Sequence, residues 1–136
     1  MNETNPQNIR KKTAIVIIML LIALLHLIKG GHRWGGRFAL FWNGYMFNVI
    51  VPFGVYFLLC LLDFSPFKYW IFKGILVLIV ASGVEIAQFY GVHKFGSTFD
   101  PVDIVMSAIG IIIAIVFDKI LFPRIFKFWR EKLPDA

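Results

Sequence analysis

The sequence predicts an all-α fold: an integral membrane bundle of four transmembrane helices followed by a C-terminal amphipathic interfacial helix. Of the 136 residues, 59% are hydrophobic and 16% are charged, whereas about 25% of an ordinary soluble domain is charged. So few polar side chains cannot cover the surface of a soluble domain of this length. Four apolar runs, each close to the roughly 20 residues that cross a bilayer, give the number of spans. The length fits a single membrane domain over residues 1–136.

The predicted spans cover about residues 13–28, 45–62, 71–90 and 102–122. The first span follows three basic residues, Arg10, Lys11 and Lys12, as the apolar part of a secretory signal peptide does. The chain then continues as "HLIKGGHRW", without a small-x-small cleavage pattern. We therefore expect an uncleaved helix at this position.

A fifth helix is predicted over residues 123–133, directly after the fourth span. Pro123 suits the first turn of a helix, where its missing N–H has no partner to lose. Helical spacing places five apolar residues on one face: Phe122, Ile125, Phe126, Trp129 and Leu133. Basic residues lie largely off this face, so we expect the helix to lie on the inner leaflet, with a partner-binding tail as the alternative.

The basic residues predict the orientation. The chain has 14 Lys and Arg residues against 8 acids, and in a membrane protein this excess reports topology and anionic lipid headgroups rather than nucleic acid. With four spans, ten basic residues fall on the side of the two termini and four on the other side. We therefore expect a multi-pass plasma-membrane protein with both termini in the cytoplasm.

In this orientation, polar residues of all four helices share one depth, the outer third of the membrane. They are His26, Asn48, Ser82, Glu85, Gln88, Asp103 and Ser107. The inner halves of the helices offer little comparable beyond Cys60. Because ionisable groups inside a membrane are costly, the outer polar residues are candidates for a functional site.

Two helices carry these residues at helical spacing. The third helix has polar residues at three-residue steps, namely Ser82, Glu85 and Gln88. The fourth has a stripe of small and polar residues, namely Asp103, Ser107, Gly110 and Ala114. Such stripes suit close helix contact in lipid, and we expect the two to face each other.

The segment "DPVD" also has a local explanation. Asp100 suits the N-cap of a helix, Pro101 its first position and Asp103 its third. Helix capping largely explains why an aspartate stands at position 100. It explains Asp103 less well, because Asp103 also begins the polar stripe. Glu85 likewise has a structural alternative, a hydrogen bond to a neighbouring amide side chain that holds helices together.

Two segments resemble the VanZ-like membrane proteins, a family named for a teicoplanin-resistance protein. The first is "NVIVPFGVYFLL", which resembles the family's Asn–x3–Pro–x–Gly segment. The second is "SGVEIAQFYG" followed by "TFDPVDIVMSAIG". The matching positions are Asn48, Pro52, Gly54, Ser82, Glu85, Gln88, Asp100, Asp103 and Gly110. The resemblance spans about residues 48–114, roughly half of the chain.

Two positions depart from the family pattern. Ser97 stands three residues before the first aspartate, where the family often has an arginine, and Lys94 is the nearest cation. Ser107 stands where the family often has an asparagine. A lysine cannot reproduce the bidentate contact of an arginine with a carboxylate.

The resemblance implies a cell-envelope protein with an outward-facing carboxylate site made by Glu85, Asp100 and Asp103. Its expected partners are membrane lipids and either a lipid-linked envelope component or a glycopeptide. Its expected effect is lowered susceptibility to glycopeptide antibiotics. The resemblance implies no particular reaction.

Three other functions stay open at this stage. A membrane enzyme acting on a lipid or cell-wall precursor would pair Glu85 with Asp103 or with His26 for acid–base chemistry. A small permease or accessory subunit would require a homodimer, because four helices are few for transport. A structural membrane protein would use the same residues only for helix contacts. No metal motif occurs and Cys60 is the single cysteine, so we predict no metal or cofactor.

Overall fold

A computed structural model describes residues 6–27, 37–63, 65–91 and 99–130, and over these ranges the chain forms helices and turns without a β-strand. The four long helices are α1 (Pro6–Leu27), α2 (Arg37–Leu59), α3 (Trp70–Phe89) and α4 (Pro101–Val116). A 3-10 turn, Ser65–Lys68, precedes α3. The all-α class is therefore confirmed for the described residues.

The helix that begins at Pro101 widens after Val116. It continues as a π-turn (Phe117–Leu121) and then as a short helix, α5 (Phe122–Ile125). The Phe122 N–H donates to the Phe117 carbonyl, five residues earlier, which is the spacing of a π-helix. Pro123 gives a physical reason, because its ring clashes with the carbonyl four residues earlier in a regular α-helix. Opening the preceding turn relieves that clash.

The interfacial helix predicted over residues 123–133 is wrong for its described part, which ends at residue 130. α5 ends at Ile125, Phe126 is extended with φ −113° and ψ 112°, and a 3-10 turn (Lys127–Trp129) follows. Trp129 is 2% exposed, so its ring lies in the protein core rather than at an interface. The spacing argument failed because Trp129 has a specific buried partner, described below.

The helices are antiparallel, so their ends lie at two opposite ends of the bundle. At one end, Lys12 of α1 donates to Asp63, just after α2, over 2.7 Å. At the other end, Tyr45 of α2 donates to Asp100, just before α4, over 3.4 Å. We call these the basic end and the carboxylate end.

Two helices are long and apolar enough to cross a membrane, namely α3 and the continuous helix Pro101–Ile125. Only 22% of the apolar window of α3, and 28% of that in Pro101–Ile125, is buried inside the protein. The apolar part of α2, Gly44–Leu59, is shorter. Large apolar side chains project outward along the helices, including Leu20, Ile79 and Ile112. Apolar outer faces of this kind suit contact with lipid.

The buried core lies toward the basic end. It consists of Ile15, Tyr56, Phe57, Val77, Ile111, Ala114 and Trp129, which come from all four long helices and the C-terminal turn. The Phe57 ring lies 5.7 Å from the Phe122 ring and 6.3 Å from the Trp129 ring, between centroids. Aromatic contacts at these distances add to the stability from area burial alone.

The backbones of α2 and α4 approach closely at Gly110. A Cβ atom built there would lie 2.9 Å from the carbonyl carbon of Val49 and 3.0 Å from its Cα, and closer still to its carbonyl oxygen. At Gly110, the small and polar stripe of α4 therefore faces α2. The expectation that this stripe faces the stripe of α3 is wrong at this position. Gly74 of α3 instead faces Ile111 and Ile115. Small residues permit such close contacts between helices.

We predict that Gly110→Ala destabilises the bundle because the new methyl group must push α2 and α4 apart. The expected loss in the free energy of unfolding is about 3 kcal/mol, at the upper end of ordinary overpacking. Thermal unfolding of the detergent-solubilised protein, followed by far-ultraviolet circular dichroism, measures it. Gly83→Ala is the matched control, since a Cβ at Gly83 has no atom within 4 Å. Equal effects of the two variants would contradict the close contact.

Candidate functional site

The carboxylate end brings together polar side chains from three helices. Glu85, near the end of α3, is 8% exposed, and its Oε2 accepts a long hydrogen bond of 3.4 Å from the Asp100 backbone N–H. Asp103, in the first turn of α4, lies near the Asn48 side chain of α2. The Tyr45 hydroxyl of α2 donates to Asp100 Oδ2. These five residues form what we call the carboxylate cluster.

Asp100 joins the cluster to the start of α4. Its Oδ1 accepts the Val102 backbone N–H at 2.9 Å and Pro101 occupies the first turn, so the predicted N-cap is confirmed. The second oxygen of the same carboxylate meets Tyr45, and the backbone N–H meets Glu85. Capping and clustering are therefore compatible roles of one residue.

The carboxylate cluster is rich in negative charge. Among the Lys and Arg side chains that the structure describes, none forms an ion pair with Glu85, Asp100 or Asp103. The N-terminus of α4 contributes backbone N–H groups and a partial positive charge, which stabilise carboxylates in the first turn. A bound cation would reduce the repulsion among the three groups.

Three further predicted site residues lie about one turn away along the same helices: Ser82, Gln88 and Ser107. Ser107 is buried, whereas the two on α3 are half-buried. The side chain of His26 lies outside the described part of the structure, as do Lys94 and Ser97. Pairing of Glu85 with His26 therefore stays a prediction. Among the described residues, no group of three or more His, Cys, Asp or Glu is arranged to hold a metal ion.

A second polar cluster lies at the basic end, where the sequence was expected to offer little beyond Cys60. That expectation was wrong. Asp118, in the π-turn, is 2% exposed and accepts hydrogen bonds of 3.0 Å from the Tyr56 hydroxyl and from the Trp129 indole N–H. The Lys73 Nζ of α3 lies 3.8 Å from Asp118 Oδ2. The Asp118 cluster, as we call these residues, therefore joins α2, α3, the π-turn and the C-terminal segment.

Lys73 is a buried cation with three kinds of partner. It is 4% exposed, and besides its ion pair it donates to Cys60 Sγ over 2.9 Å. Its Nζ also lies 4.8 Å from the centre of the Tyr56 ring, within the range of a cation–π contact. Lys119 Nζ approaches Asp118 from a more exposed position, at 3.9 Å. Pairing and hydrogen bonding are what make buried charges tolerable.

The depth of the residues could have revealed this cluster. Lys73 is the third residue of the predicted span 71–90, and Asp118 lies four residues before the end of the span 102–122. Neighbouring antiparallel spans place these positions at similar depth, and charges inside spans usually pair with one another.

Comparison with known proteins identifies no family for this chain. No family model, no curated protein and no solved structure matches it. The resemblance to the VanZ-like proteins consequently rests on the quoted motif residues alone and stays a proposal.

We predict that Asp118→Asn lowers the free energy of unfolding by about 3–5 kcal/mol, because it leaves Lys73 buried without its counter-charge. Adding Lys73→Met to Asp118→Asn should recover part of the loss, since both buried charges are then gone. Thermal unfolding in detergent of the two single variants and the double variant measures the coupling.

Asp63→Asn is the matched control, because it removes a carboxylate from an ion pair whose side chains are 36% and 40% exposed. It should cost less than about 1 kcal/mol. Additive losses in the Lys73 and Asp118 variants would show that the two charges do not stabilise each other.

Proposed function

We propose that the chain is a multi-pass protein of the plasma membrane that binds a cationic group at its outward-facing carboxylate end. We further propose that it acts as a VanZ-like envelope protein. The bound group belongs to a lipid-linked envelope component or to a glycopeptide, and binding lowers susceptibility to glycopeptide antibiotics.

The membrane part of the proposal is supported by the helices and their outer faces. α3 and the helix Pro101–Ile125 have the length and composition of spans, and most of their apolar surface is not used for internal packing. α1 and α2 complete an antiparallel bundle that would leave four lipid-facing helices. The distribution of basic residues then favours a cytoplasmic basic end and an outer carboxylate end.

The single observation that carries the binding proposal is the convergence of three carboxylates from two helix ends. Glu85, Asp100 and Asp103 meet around Tyr45 and Asn48 without an ion-pair partner in the described ranges. Asp118, by contrast, has both a cation and two hydrogen-bond donors. Among the described side chains, the carboxylate cluster is therefore the one that gains more from a cationic ligand.

The proposal predicts that Glu85→Gln abolishes a resistance phenotype while preserving the fold. Cells of a teicoplanin-susceptible host that express the wild-type chain should require a higher concentration of teicoplanin for growth inhibition. Cells that express Glu85→Gln should return to the value of the host alone. A membrane side-chain hydrogen bond contributes about 0.6 kcal/mol on average, so thermal unfolding of this variant should change little.

Asp63→Asn is the control for this experiment, because it removes a carboxylate at the basic end. It should retain the phenotype of the wild-type chain at equal expression. If Glu85→Gln protects cells as well as the wild type does, its carboxylate is not the binding group. If Glu85→Gln instead loses stability and phenotype together, Glu85 serves helix contact rather than a ligand.

A further inference from the structure

A basic cavity opens beside the Asp118 cluster, at the end of the bundle opposite the carboxylate cluster. Its volume is about 520 Å³. Six of its lining residues carry the argument: Lys11, Asp118, Lys119, Arg124, Trp129 and Arg130. Four of these are cations, and the single carboxylate, Asp118, already forms an ion pair with Lys73. The cavity is therefore suited to an anion.

Specific contacts hold two of the cations at the cavity. Arg130 folds back along the chain, and its Nε donates to the Pro123 carbonyl over 3.0 Å. Lys11 Nζ lies 5.2 Å from the centre of the Trp129 ring. Fixing a cation in this way lowers the conformational entropy lost when a ligand binds. Arginine side chains are particularly suited to phosphate because their planar groups can donate two parallel hydrogen bonds.

An apolar groove that is also lined by Trp129 adjoins the basic cavity. Its volume is about 490 Å³, and it runs between α1 and the C-terminal segment. Its apolar lining includes Ala14, Ile17, Phe122, Phe126, Phe128 and Trp129. Trp129 lines both spaces, so the two lie next to each other.

We propose that the basic cavity and the apolar groove together bind an anionic phospholipid, with its phosphate in the cavity and an acyl chain in the groove. Charge complementarity selects the headgroup, since the cavity presents four cations at the start of α1 and around the π-turn. Free phosphate shares the headgroup chemistry, but it has no apolar part to fill the groove. This site is separate from the carboxylate cluster and serves a ligand of opposite charge.

Native mass spectrometry of the full chain in detergent tests the proposal. The probes are dioleoyl phosphatidic acid, dioleoyl phosphatidylcholine and inorganic phosphate. The wild-type chain should retain one phosphatidic acid in preference to phosphatidylcholine, and inorganic phosphate at equal concentration should not displace it. Replacing Arg124 and Arg130 together by Gln should weaken retention about tenfold or more, because it removes two cations that can donate charge-assisted hydrogen bonds to the phosphate.

The matched control replaces Lys68 and Lys127 together by Gln, which removes the same charge from exposed positions outside the cavity. This control should retain phosphatidic acid as the wild type does. If the control pair lost as much phosphatidic acid as the Arg124 and Arg130 pair, the effect would be due to general surface charge, and the proposal would be overturned. Equal retention of the two lipids by the wild-type chain would also overturn it.

A second variant tests the groove without changing charge. Ile17→Trp fills the groove from α1 with a larger apolar side chain, and Ile17 is 52% exposed, so its replacement should leave the core intact. The variant should retain less dioleoyl phosphatidic acid than the wild type, with an unchanged unfolding temperature. If Ile17→Trp retains the lipid fully, or if inorganic phosphate displaces the lipid, the groove does not hold the acyl chain and the cavity is a site for soluble phosphate.

Discussion

The buried carboxylate of Asp118 is the interaction on which the arrangement of the bundle depends. A charge that is 2% exposed is tolerable only if cations and donors surround it. Tyr56 from α2, Lys73 from α3 and Trp129 from the C-terminal segment supply them. Asp118 keeps its partners only while all three side chains hold their positions. The network therefore fixes how α2, α3 and the C-terminal segment meet around the π-turn. The π-turn before Pro123 carries Asp118, and the chain then returns so that Trp129 reaches it.

The two ends of the bundle consequently differ in electrostatic character. At the basic end, the buried carboxylate has partners within the protein, and the hydrophobic core surrounds it. At the carboxylate end, Glu85, Asp100 and Asp103 have backbone, hydroxyl and amide neighbours but no ion pair among the described side chains. Internal compensation stabilises the fold at the basic end, whereas the lack of an ion pair among the described side chains supports the proposed cation binding at the carboxylate end. Proteins commonly accept such local departures from stability at functional sites.

The sequence predicted those features that depend on local spacing. Apolar runs located α2, α3 and α4, and the N-cap at Asp100 followed from its place before Pro101. α1 begins at Pro6 rather than near residue 13, because charged residues can continue a helix beyond its apolar part. The burial of Trp129 could not be predicted from helical spacing, since it results from a hydrogen bond to a residue eleven positions earlier. The contact of Gly110 with Val49 likewise depends on which helices are neighbours.

The central proposal is that the two polar clusters lie on opposite sides of a membrane, and labelling of single cysteines tests it most directly. In a Cys60→Ser background, which keeps an acceptor for Lys73, a cysteine replaces either Tyr69 or Tyr90 at the two ends of α3; these residues are 68% and 78% exposed. In intact cells, a membrane-impermeant maleimide should label Tyr90→Cys, and it should label Tyr69→Cys only after permeabilisation. Labelling of both positions from outside, or of Tyr69→Cys alone, would contradict the account.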